Sequence, residues 1–201
     1  MIKRLFDIFL SAFALILLFP VFIIVSLIIK FDSKGTVIYK QKRVGKKGRF
    51  FFIFKFRTMF TDADKLSLLT SGNNDRRITK SGYFLRKYKI DELPQLWNIF
   101  IGDMSFVGPR PETPNFVDLY TEEQRNVLSV RPGLTDYATL EYYSQEAAIL
   151  QSESNPEYAY INIIMPAKLQ LNLKYIKEKS LFTDLKIIIN TFFKIIKADK
   201  A

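Results

Sequence analysis

The chain has 201 residues, enough for one domain with its own core, and Lys plus Arg outnumber Asp plus Glu by 30 to 20, a net charge of +10. It contains neither cysteine nor histidine, which excludes disulfides, thiolate nucleophiles, cysteine- or histidine-bound metal and any relay of the Ser-His-Asp kind. Catalysis is left to carboxylates, Lys, Arg, Tyr, Ser, Thr or a hard ion such as magnesium held by oxygen, and the charge points to an anionic partner: nucleic acid, a membrane surface or a phosphorylated small molecule.

The first element is the apolar run 5–29, in which Asp7 is the one charge. At about 1.5 Å per residue it is long enough for a hydrocarbon core of about 30 Å. No small-residue cleavage site follows it, so a signal peptide fits poorly. Pro20 removes a backbone donor within the run and favours a kink. Lys3 and Arg4 precede the run and Lys30 and Lys34 follow it, so the basic flanks assign no orientation. A spanning helix fits, and so does one that bends at Pro20 and returns to the side of entry.

Residues 36–59 hold two β-rich runs around Gly45-Lys-Lys-Gly48 and predict a hairpin. Alternation puts Phe50, Phe52, Phe54 and Phe56 on one face, expected to pack, and Lys55 and Arg57 on the other, facing a site or solvent. The polar, turn-rich stretch 61–80 predicts a mobile surface loop. A helical pattern starts at Ser81 and carries Arg86; Thr121-Glu-Glu-Gln124 predicts a capping box; Arg131-Pro-Gly marks a turn; and 137–165 shows no clear period. Near the end, Leu181, Leu185, Ile188, Phe192 and Ile195 recur opposite Lys186, Asn190, Lys194 and Lys197. This predicts an amphipathic helix over about 180–198, covering the core or lying at a headgroup boundary.

Chemistry concentrates in KIDELPQLWNIF, residues 89–100, where Asp91 and Glu92 adjoin shortly before Pro94. A helix starting there offers unpaired amides and the positive end of its dipole, expected to keep Asp91 ionised and to hold a phosphate beside it. An ionised carboxylate can attack phosphorus to give an acyl phosphate. Glu92 does not share its helical face and needs another role, as metal ligand or proton-handling group. The plainer reading is that the two acids cap a helix. In GDMSFVGPRPE, residues 102–112, a proline on each side stiffens Arg110, as a bidentate phosphate clamp or a structural arginine in a turn.

KFRTM (55–59), IDELPQL (90–96) with GDMSFVGPRP (102–111), and RPGLT (131–135) together resemble the bacterial sugar transferases, the monotopic phosphoglycosyl transferases that begin lipid-linked glycan assembly. The similarity runs from Lys3-Arg4-Leu-Phe-Asp7 to SLFTDLK at 180–186. It implies an α+β, mainly helical fold: a re-entrant membrane helix over 1–31 kinked at Pro20, then a cytosolic-face catalytic domain over 32–201, with a β-hairpin and amphipathic interfacial helices around a membrane-surface active site. It implies Asp91 as nucleophile toward the sugar-bearing phosphate of a nucleoside diphosphate sugar, with uridine as the base, and polyprenyl phosphate as acceptor. Glu92 would be the second member of the dyad, with Mg2+ held by Glu92 and Asp91. Lys55, Arg86 and Arg110 would bind phosphate, and Arg57 and Arg131 would add substrate contacts. The implied location is the cytoplasmic face of the bacterial inner membrane.

Three positions depart from the family pattern: Phe19-Pro20 replaces Ser-Pro, Asp136-Tyr137-Ala138 follows RPGLT in place of Gly-Trp, and Asn172 replaces an aspartate. The sugar, the lipid chain length, the pathway and the oligomeric state are left open. The competing reading is a non-catalytic basic protein binding a membrane surface or nucleic acid, with Gly45-x-x-Gly48 as a phosphate-clamping loop.

Overall fold

The computed structural model describes residues 2–61, 63, 75–153 and 155–197. The predicted loop over 61–80 lies largely outside the described residues; at its edges Met59 bridges Ile78, and Arg77 pairs with Asp75 at 2.5 Å.

The apolar run forms two helices, α1 (Ile2–Leu17) and α2 (Phe19–Asp32), bent by 60°. The break falls at Leu18, two residues before Pro20, which occupies the first turn of α2. Proline there removes an amide, and its ring crowds the carbonyl four residues back. No single described helix is long and apolar enough to cross a membrane; only the bent pair together has that length and composition.

Both ends of the pair are tied to the same body. At the start, Lys3 Nζ donates to the Val107 carbonyl (2.9 Å), Tyr175 Oη (2.8 Å) and Asp184 (2.6 Å), and Arg4 donates to the carbonyls of Ile99 and Phe100. Asp7, the lone acid of the run, is buried and accepts from Ser105 Oγ and the Phe106 amide, both at 3.2 Å. At the end, Asp32 accepts from the amide and hydroxyl of Ser81, and Arg57 donates to the carbonyls of Ser33 and Lys34. The sides facing away carry exposed Phe9, Phe13, Ile16, Ile24 and Phe31.

The hairpin forms as predicted, with β1 (Ile38–Val44) antiparallel to β2 (Phe50–Phe56) and Lys40 opposite Phe54. Lys47 takes a positive φ in its turn. Because this Gly-x-x-Gly loop joins two strands, it lacks the helical setting of a nucleic-acid clamp. The strand faces are the reverse of the expectation. Phe51 and Ile53 are buried, while Phe50 and Phe52 are exposed by 59% and 55%. The inner face packs with Leu96, Ile99 and Met104, with Ala14 and Leu15 of α1 and with Leu18 at the break, so burial follows the helices and not the larger count of phenylalanines. Only Phe56 of the expected set is fully covered, by a cluster that includes Val25 and Ile29 of α2.

Next come α3 (Lys80–Lys87), capped by Thr79 Oγ1 on the Gly82 amide, and α4 (Gln95–Ile101), which lies along β2. Asn98 of α4 is fully buried and completes the strand's main chain, donating to the Phe52 carbonyl (2.8 Å) and accepting from the Phe54 amide (3.0 Å). The parallel pair β3 (Ser105–Val107) and β4 (Gly133–Thr135) follows, with α5 (Pro114–Val117) between them in sequence. The capping box forms reciprocally, Thr121 N to Gln124 Oε1 (2.9 Å) and Gln124 N to Thr121 Oγ1 (3.3 Å), and opens a 3-10 turn over Gln124–Ser129.

The stretch without a clear period is helical: α6 (Tyr137–Ser152), α7 (Pro156–Ala159), a π turn over Tyr160–Ile164, then α8 (Met165–Glu178). Its signals are local caps, Asp136 on the Thr139 amide and Asn155 on the Tyr158 amide. The last helix, α9 (Leu181–Lys197), is amphipathic but rotated from the expectation. Asp184 and Ile187 turn inward, Lys194 donates to the Leu140 carbonyl, and Phe182, Leu185, Ile189, Phe192 and Phe193 face outward.

Candidate active site

Asp91 and Glu92 lie on a 3-10 turn, Ile90–Glu92, between α3 and α4. Lys89 enters this turn at φ 56°, a left-handed conformation that costs a non-glycine residue energy and is kept where the surroundings dictate it. The dyad therefore precedes the helix and does not cap it; Pro94 stands between them, immediately before Gln95.

The two acids meet opposite environments. Both oxygens of Glu92 are engaged: Arg110 Nη2 donates to Oε1 (2.6 Å), Arg110 Nη1 to Oε2 (3.3 Å), and Lys55 Nζ to Oε1 (3.4 Å). Burial opposes the charge of Glu92, but Arg110 and Lys55 outweigh it and hold the carboxyl well below the usual glutamate range. Asp91 is just as buried, yet its Oδ1 has no hydrogen-bond partner. Burial first, and the charge of Glu92 second, raise the Asp91 carboxyl above its usual range, against the pull of Lys55, Lys89 and Arg86. The expectation that a helix terminus would stabilise the Asp91 carboxylate is corrected: no helix begins at Asp91, and desolvation dominates.

Each cation is delivered by a different element. Lys55 comes from the inner face of β2. Arg86, on α3, donates to Thr58 Oγ1 (2.8 Å), and its charge acts on Asp91. Arg110 follows β3 on a segment held main chain to main chain: Gly108 N donates to the Thr135 carbonyl (3.1 Å), and Gly133 N to the Pro109 carbonyl (2.9 Å). A Cβ on Gly133 would stand 2.1 Å from the Gly108 nitrogen, so this approach requires glycine. The Arg110 amide then donates to Asp136 Oδ2 (3.2 Å). Behind it, Glu112 joins Arg43 of β1 (3.4 Å) and accepts from Tyr160 Oη.

Lys55, Arg86 and Arg110 are thus gathered at the dyad. Arg57 and Arg131 are not: Arg57 fastens the end of α2, and Arg131 donates to the Gly102 carbonyl (2.8 Å). Glu112, Arg43, Tyr160 and Asp136 were not picked out from sequence as site-building groups; the proline-flanked run ending at Glu112 was the available signal for the first.

Beside the dyad opens a cavity of about 790 Å³. Its walls include Glu92, Lys89 and Arg110 at the dyad and Lys168, Asn172 and Thr191 from α8 and α9. Asp91 is not among the lining residues, although its neighbours Glu92 and Lys89 are. Among the described residues no group of three acidic side chains could hold a metal unaided. Of the two expected magnesium ligands, Glu92 has both oxygens taken by Arg110 and Lys55, and the unpartnered Asp91 oxygen is where a hard cation such as magnesium would be held.

Residues 1–198 match the model of the family described as bacterial sugar transferase. The UDP-glucose:undecaprenyl-phosphate glucose-1-phosphate transferase of Klebsiella pneumoniae is 35% identical over 199 residues, covering 96% of this chain and 39% of that protein. The UDP-N-acetylgalactosamine-undecaprenyl-phosphate N-acetylgalactosaminephosphotransferase of Aeromonas hydrophila is 35% identical over 196 residues, covering 94% and 42%. The uncharacterized sugar transferase EpsL of Bacillus subtilis is 34% identical over 198 residues, covering 98% and 89%. The chain therefore spans about two fifths of the first two relatives and most of the third. With the match running through the dyad, its three cations and the bent helix pair alike, the chain belongs to the bacterial sugar transferase family.

Proposed function

We propose that this chain transfers a sugar-1-phosphate from a uridine diphosphate sugar to a polyprenyl phosphate through a covalent aspartyl sugar-phosphate. The observation that carries this is the asymmetry of the dyad: Glu92 is fully engaged by Arg110 and Lys55, whereas Asp91 keeps an unpartnered oxygen and a raised carboxyl. An acid bound on both oxygens at lowered pKa is a poor nucleophile; a desolvated, more basic carboxylate is a better one.

In the first step an Asp91 oxygen bonds to the sugar-bearing phosphorus, the bond from that phosphorus to the bridging oxygen breaks, and uridine monophosphate leaves with the electron pair. Lys55 and Arg86 offset charge on the phosphates, and Arg110 orients Glu92 at the cavity wall. In the second step an oxygen of polyprenyl phosphate attacks the same phosphorus and releases the Asp91 carboxylate, leaving a lipid diphosphate sugar. Magnesium, held by Asp91 at the dyad, would supply further neutralisation of phosphate charge. The named relatives use different sugars, glucose and N-acetylgalactosamine, so the sugar is not assigned.

We further propose that α1 and α2 enter one leaflet and return. The fastening of both ends to the same body supports this path, as do the outward apolar side chains between them. The site then sits at the cytoplasmic face, where a soluble nucleotide and a membrane lipid meet. Screening uridine diphosphate sugars with polyprenyl phosphate for release of uridine monophosphate tests the reaction. Release that depends on both substrates is expected; none with any sugar nucleotide would refute it.

A further inference from the structure

The outer face of the hairpin is not used by the reaction. Phe50 and Phe52 stand exposed on it, with Lys42 Nζ 4.0 Å from the centre of the Phe50 ring and Lys40 Nζ 5.6 Å from that of Phe54. Lys46, Lys47 and Arg49 extend the cationic edge through the turn, and no acid occurs anywhere in residues 36–57. Two adjacent exposed phenylalanines ringed by cations form a poor surface for water and a good one for an anionic interface, where rings enter the headgroup boundary and lysines remain at the phosphates.

The position of this face says what covers it. Phe56 continues the same outer face and is packed by α2, its ring 5.4 Å from that of Phe22. The opposite face of the strand packs with Ala14, Leu15 and Leu18, at the bend of the helix pair. The outer face therefore ends against α2 on its Phe22, Val25 and Ile29 side, and the far side of the same helix carries exposed Ile23, Ile24, Leu27 and Ile28. We infer that the outer face of the β1–β2 hairpin, through Phe50, Phe52, Lys40 and Lys42, is a second membrane contact that inserts among anionic lipid headgroups beside α2. This rests on the re-entrant reading of α1 and α2.

Since the chain has no native cysteine, single cysteines report cleanly. Phe52→Cys and, as anchor control, Ile16→Cys in the exposed face of α1 are labelled with an environment-sensitive fluorophore in the full chain. Each is placed in nanodiscs of phosphatidylcholine with or without phosphatidylglycerol, carrying acyl-chain spin-labelled lipid as quencher. The label at 52 is expected to be quenched about half as strongly as that at 16, as for an interfacial depth, and more strongly with phosphatidylglycerol. Lys40→Glu with Lys42→Glu should remove the phosphatidylglycerol dependence. Quenching at 16 but not at 52 would overturn the inference and leave the anchor standing. Quenching at neither position would overturn both. A label at 52 shielded from aqueous iodide yet untouched by lipid quencher would mean that protein, not lipid, covers the face. A label at 50 repeats the reading should the Phe52 variant misfold by circular dichroism.

Discussion

Replacing Arg110 probes the dyad most sharply, because its two bonds to Glu92, at 2.6 and 3.3 Å, are the shortest support that Glu92 has. Arg110→Ala leaves Lys55 alone at 3.4 Å. Breaking a fully buried ion pair by removing one partner costs ~3–5 kcal/mol. The Arg110 side chain is 36% exposed, so solvent screens part of this and ~1–3 kcal/mol is expected. That figure is a loss of fold stability; an equal ~2 kcal/mol lost separately from the transition state, through a misplaced Glu92, corresponds to about a 30-fold fall in kcat/KM. Arg110→Lys should recover little, since an ammonium gives a point charge in place of a fork. The pH sign follows from Glu92, whose carboxyl lies well below its usual range in the fold. A depressed acid stabilises the fold above its unfolded pKa and loses that contribution as pH falls through the folded value. The deficit of Arg110→Ala should therefore be full at neutral pH and shrink only in strong acid. Uridine monophosphate release and the thermal midpoint in nanodiscs read both effects. Wild-type kinetics for Arg110→Lys would refute the bidentate reasoning.

Glu92→Gln should cut the rate severely and also move the acid limb of kcat/KM to lower pH, because Glu92 is among the causes raising Asp91 and its loss frees Lys55 and Arg110 to act there; an unmoved limb, in a pH–rate series, would contradict that coupling. Asn98→Leu should lower stability by about 2–4 kcal/mol, since the Phe52 carbonyl and Phe54 amide both lose their partner; an unchanged thermal midpoint would mean water or another group satisfies them. For the helix pair, single cysteines at Ile2 and Ser33 should both resist an impermeant reagent in intact cells and react once the membrane is broken. Labelling at Ile2 alone in intact cells would mean that the pair spans.

What the sequence made legible was whatever rests on local pattern. The Gly45–Gly48 turn, the Thr121–Gln124 box and the proline-induced break all act within a few residues, and all are present. Which face of β2 is buried does not follow from alternation, which defines two faces; α1 and α4, distant in sequence, select one. The same holds for α6, which lies against α7, α8 and α9 and whose sequence carries no single apolar stripe, while its cap at Asp136 also holds the Arg110 amide. At the site, spacing drew attention to Asp91, Glu92, Lys55, Arg86 and Arg110. The division of labour within the dyad depends on burial and on the direction of each carboxylate, which spacing does not specify. Arg57 and Arg131 share the motifs but donate to backbone carbonyls.

The covalent step is tested most directly by withholding the acceptor. The full chain in nanodiscs is incubated with a turnover-competent uridine diphosphate sugar and no polyprenyl phosphate, quenched in acid, digested and examined by mass spectrometry. The mass of one sugar-phosphate is expected on the peptide containing Asp91, formed with release of uridine monophosphate, discharged on adding polyprenyl phosphate, and absent from an inactive Asp91→Asn. Full turnover by Asp91→Asn, or wild-type turnover with no adduct on that peptide at any time of quenching, would contradict the account.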